Sequence, residues 1–237
     1  MFDGRFRAGV DRTVKPVGRA LERTGLSPNH LTLIGLGLAV PAAWAIGAGR
    51  LGLGLVLLIA SAVTDLLDGA LARAAGRATV RGAFLDSVCD RVTDALVLGG
   101  FAWYLQSRHG GHAFMLPLAV LGASLLVSYE RAKAESLGLS AKGGLMERAE
   151  RLVALCVGLA FSFLLVPLLW VMLVLTAFTA IQRFVKVWGQ AGAPVPQQHV
   201  RAADDPMALA VRWRAWREAN GWAPGTSRYL QGSTRAG

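Results

Sequence analysis

The sequence predicts an all-α integral membrane protein with six transmembrane helices preceded by an N-terminal amphipathic juxtamembrane helix. Three observations predict it. Hydrophobic residues make up 54% of the 237-residue chain and charged residues only 17%, with a mean hydropathy of +0.44, outside the range of soluble globular proteins. Six apolar runs, each near the roughly 20 residues that a bilayer crossing needs, occupy approximately 30–49, 51–72, 83–106, 112–133, 148–166 and 167–188. Basic residues are shared unequally between the loops that join these runs.

The first 25 residues contain Phe2, Phe6, Val10, Val14, Val17 and Leu21 at spacings of three or four, set among Arg5, Arg7, Arg12, Lys15, Arg19 and Arg23. That periodicity predicts a helix over 1–25 with one apolar and one basic face, lying in the headgroup plane. Its charge is not that of a cleavable signal peptide. Ser27, Pro28, Asn29 and Thr32 supply an N-terminal cap, with Pro in the first turn of the first span. The fifth and sixth runs meet at Val166–Pro167, which predicts a tight turn with no polar loop. Beyond a membrane domain of residues 1–188, residues 189–237 read as a cytoplasmic tail: a linker containing AGAPVPQQ, then a second interfacial helix with Leu209, Trp213 and Trp216 flanked by Arg212, Arg214 and Arg217.

The loops after spans one, three and five contain only Arg50 and Arg108 as Lys or Arg. The opposite side carries the N-terminal helix, Arg73, Arg77, Arg81, Arg131, Lys133, Lys142, Arg148, Arg151 and the tail. The positive-inside rule then predicts a multi-pass protein of the cell membrane with both termini cytoplasmic. The net charge of +10 is explained by membrane lipids with anionic headgroups and by phosphorylated substrates, with no nucleic-acid partner expected. Cys89 and Cys156 fall in different spans and read as small core residues, not as a disulfide.

Four aspartates interrupt the apolar pattern. Asp65, Asp68, Asp86 and Asp90 fall in the string DLLDGALARAAGRATVRGAFLDSVCD, and each ionised carboxylate in a span costs roughly 2.5 to 3.5 kcal/mol on insertion scales. Spacings of three and four put each pair on one helix face about a turn apart. Two facing pairs make a pocket in which divalent cations offset the mutual repulsion. Oxygen-only ligation favours a hard ion, Mg²⁺ or Mn²⁺, and His30, His109, His112 and His199 have no zinc-site spacing. Gly69 and Ala72 remove bulk beside the pair, and Arg73 has the geometry to grip a phosphate. Close helix packing and cytoplasmic anchoring account equally for Gly69 and Arg73 taken singly.

The pattern DxxDGxxARx8GxxxDxxxD, met at Asp65, Asp68, Gly69, Ala72, Arg73, Gly82, Asp86 and Asp90, resembles the signature of the CDP-alcohol phosphatidyltransferases. The resemblance implies six transmembrane helices, a homodimer, a cytoplasm-facing site, and transfer of a phosphatidyl group from CDP-diacylglycerol to an alcohol with release of CMP. It implies that Asp65, Asp68, Asp86 and Asp90 hold two metal ions, that Asp65, Gly69, Ala72 and Arg73 border the CDP moiety, and that Asp90 is the general base. Two cations at such a site neutralise a pyrophosphate and its leaving group.

The loop between spans four and five, SYERAKAESLGLSAKGGLMERAER, gathers Arg131, Lys133, Lys142, Arg148 and Arg151, answered in part by Glu130, Glu135, Glu147 and Glu150. Ordinary positive-inside anchoring explains some of them. With Gln182 and Arg183 it also resembles the actinobacterial phosphatidylinositol phosphate synthases, which implies that Arg131, Arg151 and Arg183 bind the phosphate of an inositol phosphate acceptor. The stretch YERAKAE exchanges the Lys and Arg of the family's YxKARAE and adds Glu130, so glycerol 3-phosphate remains the alternative phosphorylated alcohol. A cation- or proton-coupled transporter is the reading of a different class. It predicts acidic or broken-helix features deep in spans four to six, and none occurs there.

Overall fold

The computed structural model of the protein describes residues 27–74, 79–141 and 143–192, together with residues 211 and 214. The predicted helix over 1–25, nearly all of the tail helix and its linker, and the side chain of Arg73 lie outside the described residues. Among the described residues there is no strand. Six helices follow one another: α1 (Pro28–Gly47), α2 (Leu51–Ala74), α3 (Val80–His109), α4 (Met115–Ser136), α5 (Arg148–Ala160) and α6 (Leu165–Ala191), with a 3₁₀ turn at Ser162–Leu164.

Local sequence sets these boundaries. The Ser27 hydroxyl accepts the His30 N–H at 3.4 Å, and Pro28 opens α1 where its missing N–H costs nothing. Thr79 caps α3 by accepting the Gly82 N–H at 3.0 Å. Gly49, at φ +77°, turns the chain from α1 into α2 in a conformation that an L side chain resists.

Among the described residues four segments, Pro28–Gly47, Leu51–Gly69, Met115–Ser136 and Ser162–Ala191, are long and apolar enough to cross a membrane. At 30 residues α3 has the length, but its first half carries Arg81, Asp86, Asp90, Arg91 and Asp94. The expected fifth span over 148–166 is corrected in its bounds: α5 is a 13-residue helix, about 20 Å long, that ends at Ala160. The expected turn at Val166–Pro167 is corrected too. The chain turns at Phe161–Leu164, and Pro167 sits in the first turn of α6, where helices tolerate proline. Large apolar side chains such as Val40, Val56, Trp170 and Val174 point outward, more than half exposed, as on a lipid-facing surface.

One buried cluster draws from every helix, with Ile46, Leu58, Phe101, Val120, Leu155 and Leu169 as its six contributions. Small residues bring α1 close to its neighbours. Ser61 of α2 donates to the Gly35 carbonyl at 2.8 Å, and Gly100 of α3 lies against the Ala43 backbone. A Cβ on Gly100 would stand 2.5 Å from the Ala43 oxygen and 3.0 Å from its Cα. Backbone cannot yield as a side chain does, so Gly100→Ala is expected to destabilise the bundle by about 1–3 kcal/mol. A lowered thermal midpoint in detergent checks this; an unchanged midpoint would mean that α1 and α3 separate freely.

The two ends of the bundle differ in charge. No Asp or Glu occurs in 28–64, 95–129 or 152–192, so the acids of the described helices and loops gather at one end. At the other end the Arg50 guanidinium lies 5.3 Å from the centre of the Trp44 ring, and that of Arg108 lies 5.8 Å from Tyr104.

Candidate active site

The acidic end is where α1, α3 and α5 begin and where α2 ends. The chain reverses at each connection, so residues far apart in sequence meet there. Asp65 and Asp68 come from the last turns of α2, while Asp86 and Asp90 come from the first half of α3. Asp65, Asp68 and Asp86 each offer a carboxylate oxygen within 4.8 Å of the others, and no other acidic, His or Cys cluster of this kind occurs among the described residues. Asp68 is buried, and its Oδ2 accepts from the Thr32 hydroxyl at 2.5 Å. An ionised group in that position needs donors and counter-charge.

Asp90, expected as the fourth member of the cluster, is not part of that mutually close group of three and is held by an arginine. Nη1 of Arg148 stands 2.7 Å from Asp90 Oδ1 and 2.6 Å from Asp65 Oδ2, so one nitrogen at the start of α5 bridges α2 and α3. Arg91 adds a more distant contact, 3.8 Å from Asp90 Oδ2. Thr32, Ser61, Asp65, Asp90, Thr93 and Arg148 share one small cleft. Oxygen donors from three carboxylates, with no thiolate or imidazole among them, match a hard divalent cation. Gly69 and Ala72 lie half-buried on α2 just beyond Asp68.

The three arginines expected to bind the acceptor phosphate each have partners of their own. Arg131 is exposed and pairs with Glu135 at 3.0 Å along α4. Arg151 is buried, donating to Asp94 Oδ2 at 2.8 Å. Arg183 is buried near the end of α6, with Nε 3.0 Å from the Gly143 carbonyl, Nη1 3.0 Å from the Val127 carbonyl and Nη2 3.2 Å from Glu147. Arg131, Arg151, Glu130 and Glu147 all stand within electrostatic reach of Arg183. Thr179, one turn before Arg183, accepts the N–H groups of Leu145 and Met146 at 3.3 and 3.4 Å. Together these bonds tie the segment before α5 to α6. Glu130 brings to this region a buried carboxylate oxygen with no hydrogen-bond partner among the described residues.

Three participants escape the sequence reading. Thr32 reads as part of a cap, yet its hydroxyl reaches Asp68. Arg148 reads as one loop cation among five, yet it bridges two motif aspartates. Asp94 continues the i, i+4 series of Asp86 and Asp90, which is the signal that points to it. Cys89 is buried and both cysteines are free, as expected.

The chain matches the CDP-alcohol phosphatidyltransferase family over residues 26–188. It is 35% identical to the phosphatidylinositol phosphate synthase of Mycobacterium marinum over 211 residues, 84% of this chain and 90% of that protein. Its fold is similar to the crystal structure of the Mycobacterium tuberculosis phosphatidylinositol phosphate synthase with CDP-DAG bound, with a TM-score of 0.68, 34% identity, and coverage of 75% of this chain and 94% of that one. The same enzyme in complex with manganese and citrate gives a TM-score of 0.67 at 34% identity, covering 74% and 88% of the two chains.

Proposed function

Because the chain belongs to the CDP-alcohol phosphatidyltransferase family, we propose that it transfers the phosphatidyl group of CDP-diacylglycerol to the hydroxyl of inositol phosphate, giving phosphatidylinositol phosphate and CMP. Family membership removes the transporter alternative. The observation that carries the reading is the meeting of Asp65, Asp68 and Asp86 at the end of the bundle where Arg148, Arg151 and Arg183 also converge.

In this reaction the acceptor hydroxyl oxygen attacks the phosphorus that carries diacylglycerol. The bond from that phosphorus to the CMP oxygen breaks, and the hydroxyl proton passes to the Asp90 carboxylate. Asp90 acts as general base from a fixed position, its Oδ1 held 2.7 Å from Arg148. Two Mg²⁺ or Mn²⁺ ions, held by Asp65, Asp68, Asp86 and Asp90, supply neutralisation of the pyrophosphate and of charge on the departing CMP. Thr32 keeps Asp68 aimed at the cluster through their 2.5 Å hydrogen bond. Asp65, Gly69, Ala72 and Arg73 border the CDP moiety, where the absence of bulk at Gly69 and Ala72 lets a nucleotide approach α2.

Arg131, Arg151 and Arg183 receive the acceptor phosphate, exchanging carboxylate partners for phosphate oxygens. A polyhydroxylated acceptor also offers hydroxyl donors to the unpartnered oxygen of Glu130. The same reading gives the protein six spans, α3 and α5 completing the set, a homodimeric state, and a place in the cell membrane with the active site and both termini cytoplasmic. Residues 1–188 form its membrane domain, with an interfacial helix over 1–25, and 189–237 its tail.

Purified protein is to be given CDP-diacylglycerol and Mg²⁺ with inositol phosphate, glycerol 3-phosphate, free inositol or serine in separate reactions. CMP release is expected with inositol phosphate alone. Release with glycerol 3-phosphate alone would move the protein to phosphatidylglycerophosphate synthesis, and release with none would remove the proposed reaction.

A further inference from the structure

We infer that Arg148 competes with a divalent ion for the carboxylates of Asp65 and Asp90 and that Asp94 is the positioning residue that takes Arg148 over when such an ion binds. Resting on the metal-site reading above, the inference starts from one atom. Nη1 of Arg148 lies 2.6 Å from Asp65 and 2.7 Å from Asp90, within bonding distance of carboxylates on two different helices. Among the described residues no second basic group is shown so close to these two carboxylates; Arg91 stands 3.8 Å from Asp90 on its other oxygen. The guanidinium therefore offsets the repulsion that a divalent ion would otherwise relieve, and the two draw on the same carboxylates.

Displaced positive charge needs a destination, because leaving it unpartnered at a membrane boundary is costly. Asp94 provides one. It lies one turn beyond Asp90 on α3, its Oδ1 is already 3.9 Å from Arg148 Nε, and Nη1 is the part of the fork that reaches the other way. Asp94 Oδ2 meanwhile holds Arg151 at 2.8 Å. One carboxylate thus faces both the arginine that neutralises the metal cluster and an arginine of the acceptor region. Occupation of the cluster draws Arg148 toward Asp94, where it shares that carboxylate with Arg151 and loosens the hold on Arg151. The acceptor region would then become available after the donor site has been charged.

The test is Mn²⁺ binding by the full chain in detergent, followed by calorimetry with metal alone, without substrate or turnover. Arg148→Gln removes the competitor and is expected to tighten Mn²⁺ binding about tenfold, the scale on which close charge pairs couple. Asp94→Asn removes the destination and is expected to weaken binding by about fivefold, the scale of a looser, partly exposed ion pair. In the Arg148→Gln background the Asp94→Asn effect is expected to shrink to less than about twofold, as it must if Asp94 acts through Arg148. An equal Asp94→Asn effect in both backgrounds, or unchanged or weaker binding by Arg148→Gln, would overturn the inference. Should Arg148→Gln not fold, Arg148→Lys serves: a single ammonium lacks the fork that spans Asp90 and Asp94, so the Asp94→Asn effect is expected to shrink there as well, and its persistence counts against the role. If the wild-type protein binds no Mn²⁺ at all, the metal-site reading itself falls. Binding without coupling removes only the Arg148–Asp94 relay.

Discussion

Replacing Asp90 with Asn is expected to lower turnover by about a thousandfold or more while CDP-diacylglycerol still binds. A positioned general base contributes roughly 10² to 10⁴ in rate, and loss of a carboxylate from the site adds to that. Asn is nearly the shape of Asp but cannot take up the acceptor proton. Arg148 Nη1, 2.7 Å from Asp90 Oδ1, retains an oxygen to donate to in the amide, so packing is preserved. CMP release over a range of acceptor concentrations, with donor binding measured separately, distinguishes the cases. Turnover within about tenfold of wild type would assign the proton to another group, since it falls below the usual contribution of such a base. Loss of donor binding in step with turnover would leave Asp90 with its metal-holding role alone and assign the proton to another group.

Arg151→Lys carries the second large effect, and it should appear in a different constant. Lysine keeps the charge but loses the paired N–H geometry that matches a phosphate, so the KM for inositol phosphate is expected to rise by about 10- to 100-fold. The KM for CDP-diacylglycerol should stay near the wild-type value, because the proposed donor contacts, Asp65, Gly69, Ala72 and Arg73, do not include Arg151. Lysine is preferable to alanine here, because Arg151 is buried against Asp94 and an orphaned carboxylate would cost several kcal/mol in stability alone. Steady-state kinetics with each substrate varied in turn decides the question. An equal rise in both constants would show a general loosening of the site.

These two substitutions mark how far the sequence reaches. The aspartates were legible because ionised groups inside an apolar pattern violate its own rule and their spacing fixes a helix face. That reasoning brings Asp65, Asp68 and Asp86 together, as found. It does not reveal that Asp90 faces an arginine from α5, because which helices pack side by side depends on long-range packing that periodicity does not encode. The same gap explains Arg148, hidden among loop cations until α5 is docked. Thr32 is a sharper case. At the first turn of α1 a threonine is equally suited to helix ends and to cross-helix bonds, and only the close approach of α1 and α2 through Gly35 and Ser61 decides for Asp68. The misplaced last turn has a local cause: hydropathy runs unbroken through 161–167, and proline marks a helix start as readily as a bend.

The aromatic-braced arginines at the end of the bundle away from the acids have a bearing on where the reaction takes place. From Asp90 to Arg108, α3 rises about 27 Å, close to one hydrocarbon thickness of roughly 30 Å. If Arg108, resting on Tyr104, sits at one headgroup layer, as in the proposed membrane placement, the carboxylates come level with the other. A diacylglycerol tethered to a nucleotide has its pyrophosphate at that height while its chains remain among other lipids. In that placement the helix would act as a depth gauge, letting the donor slide sideways into the site from the surrounding leaflet without being lifted out of it.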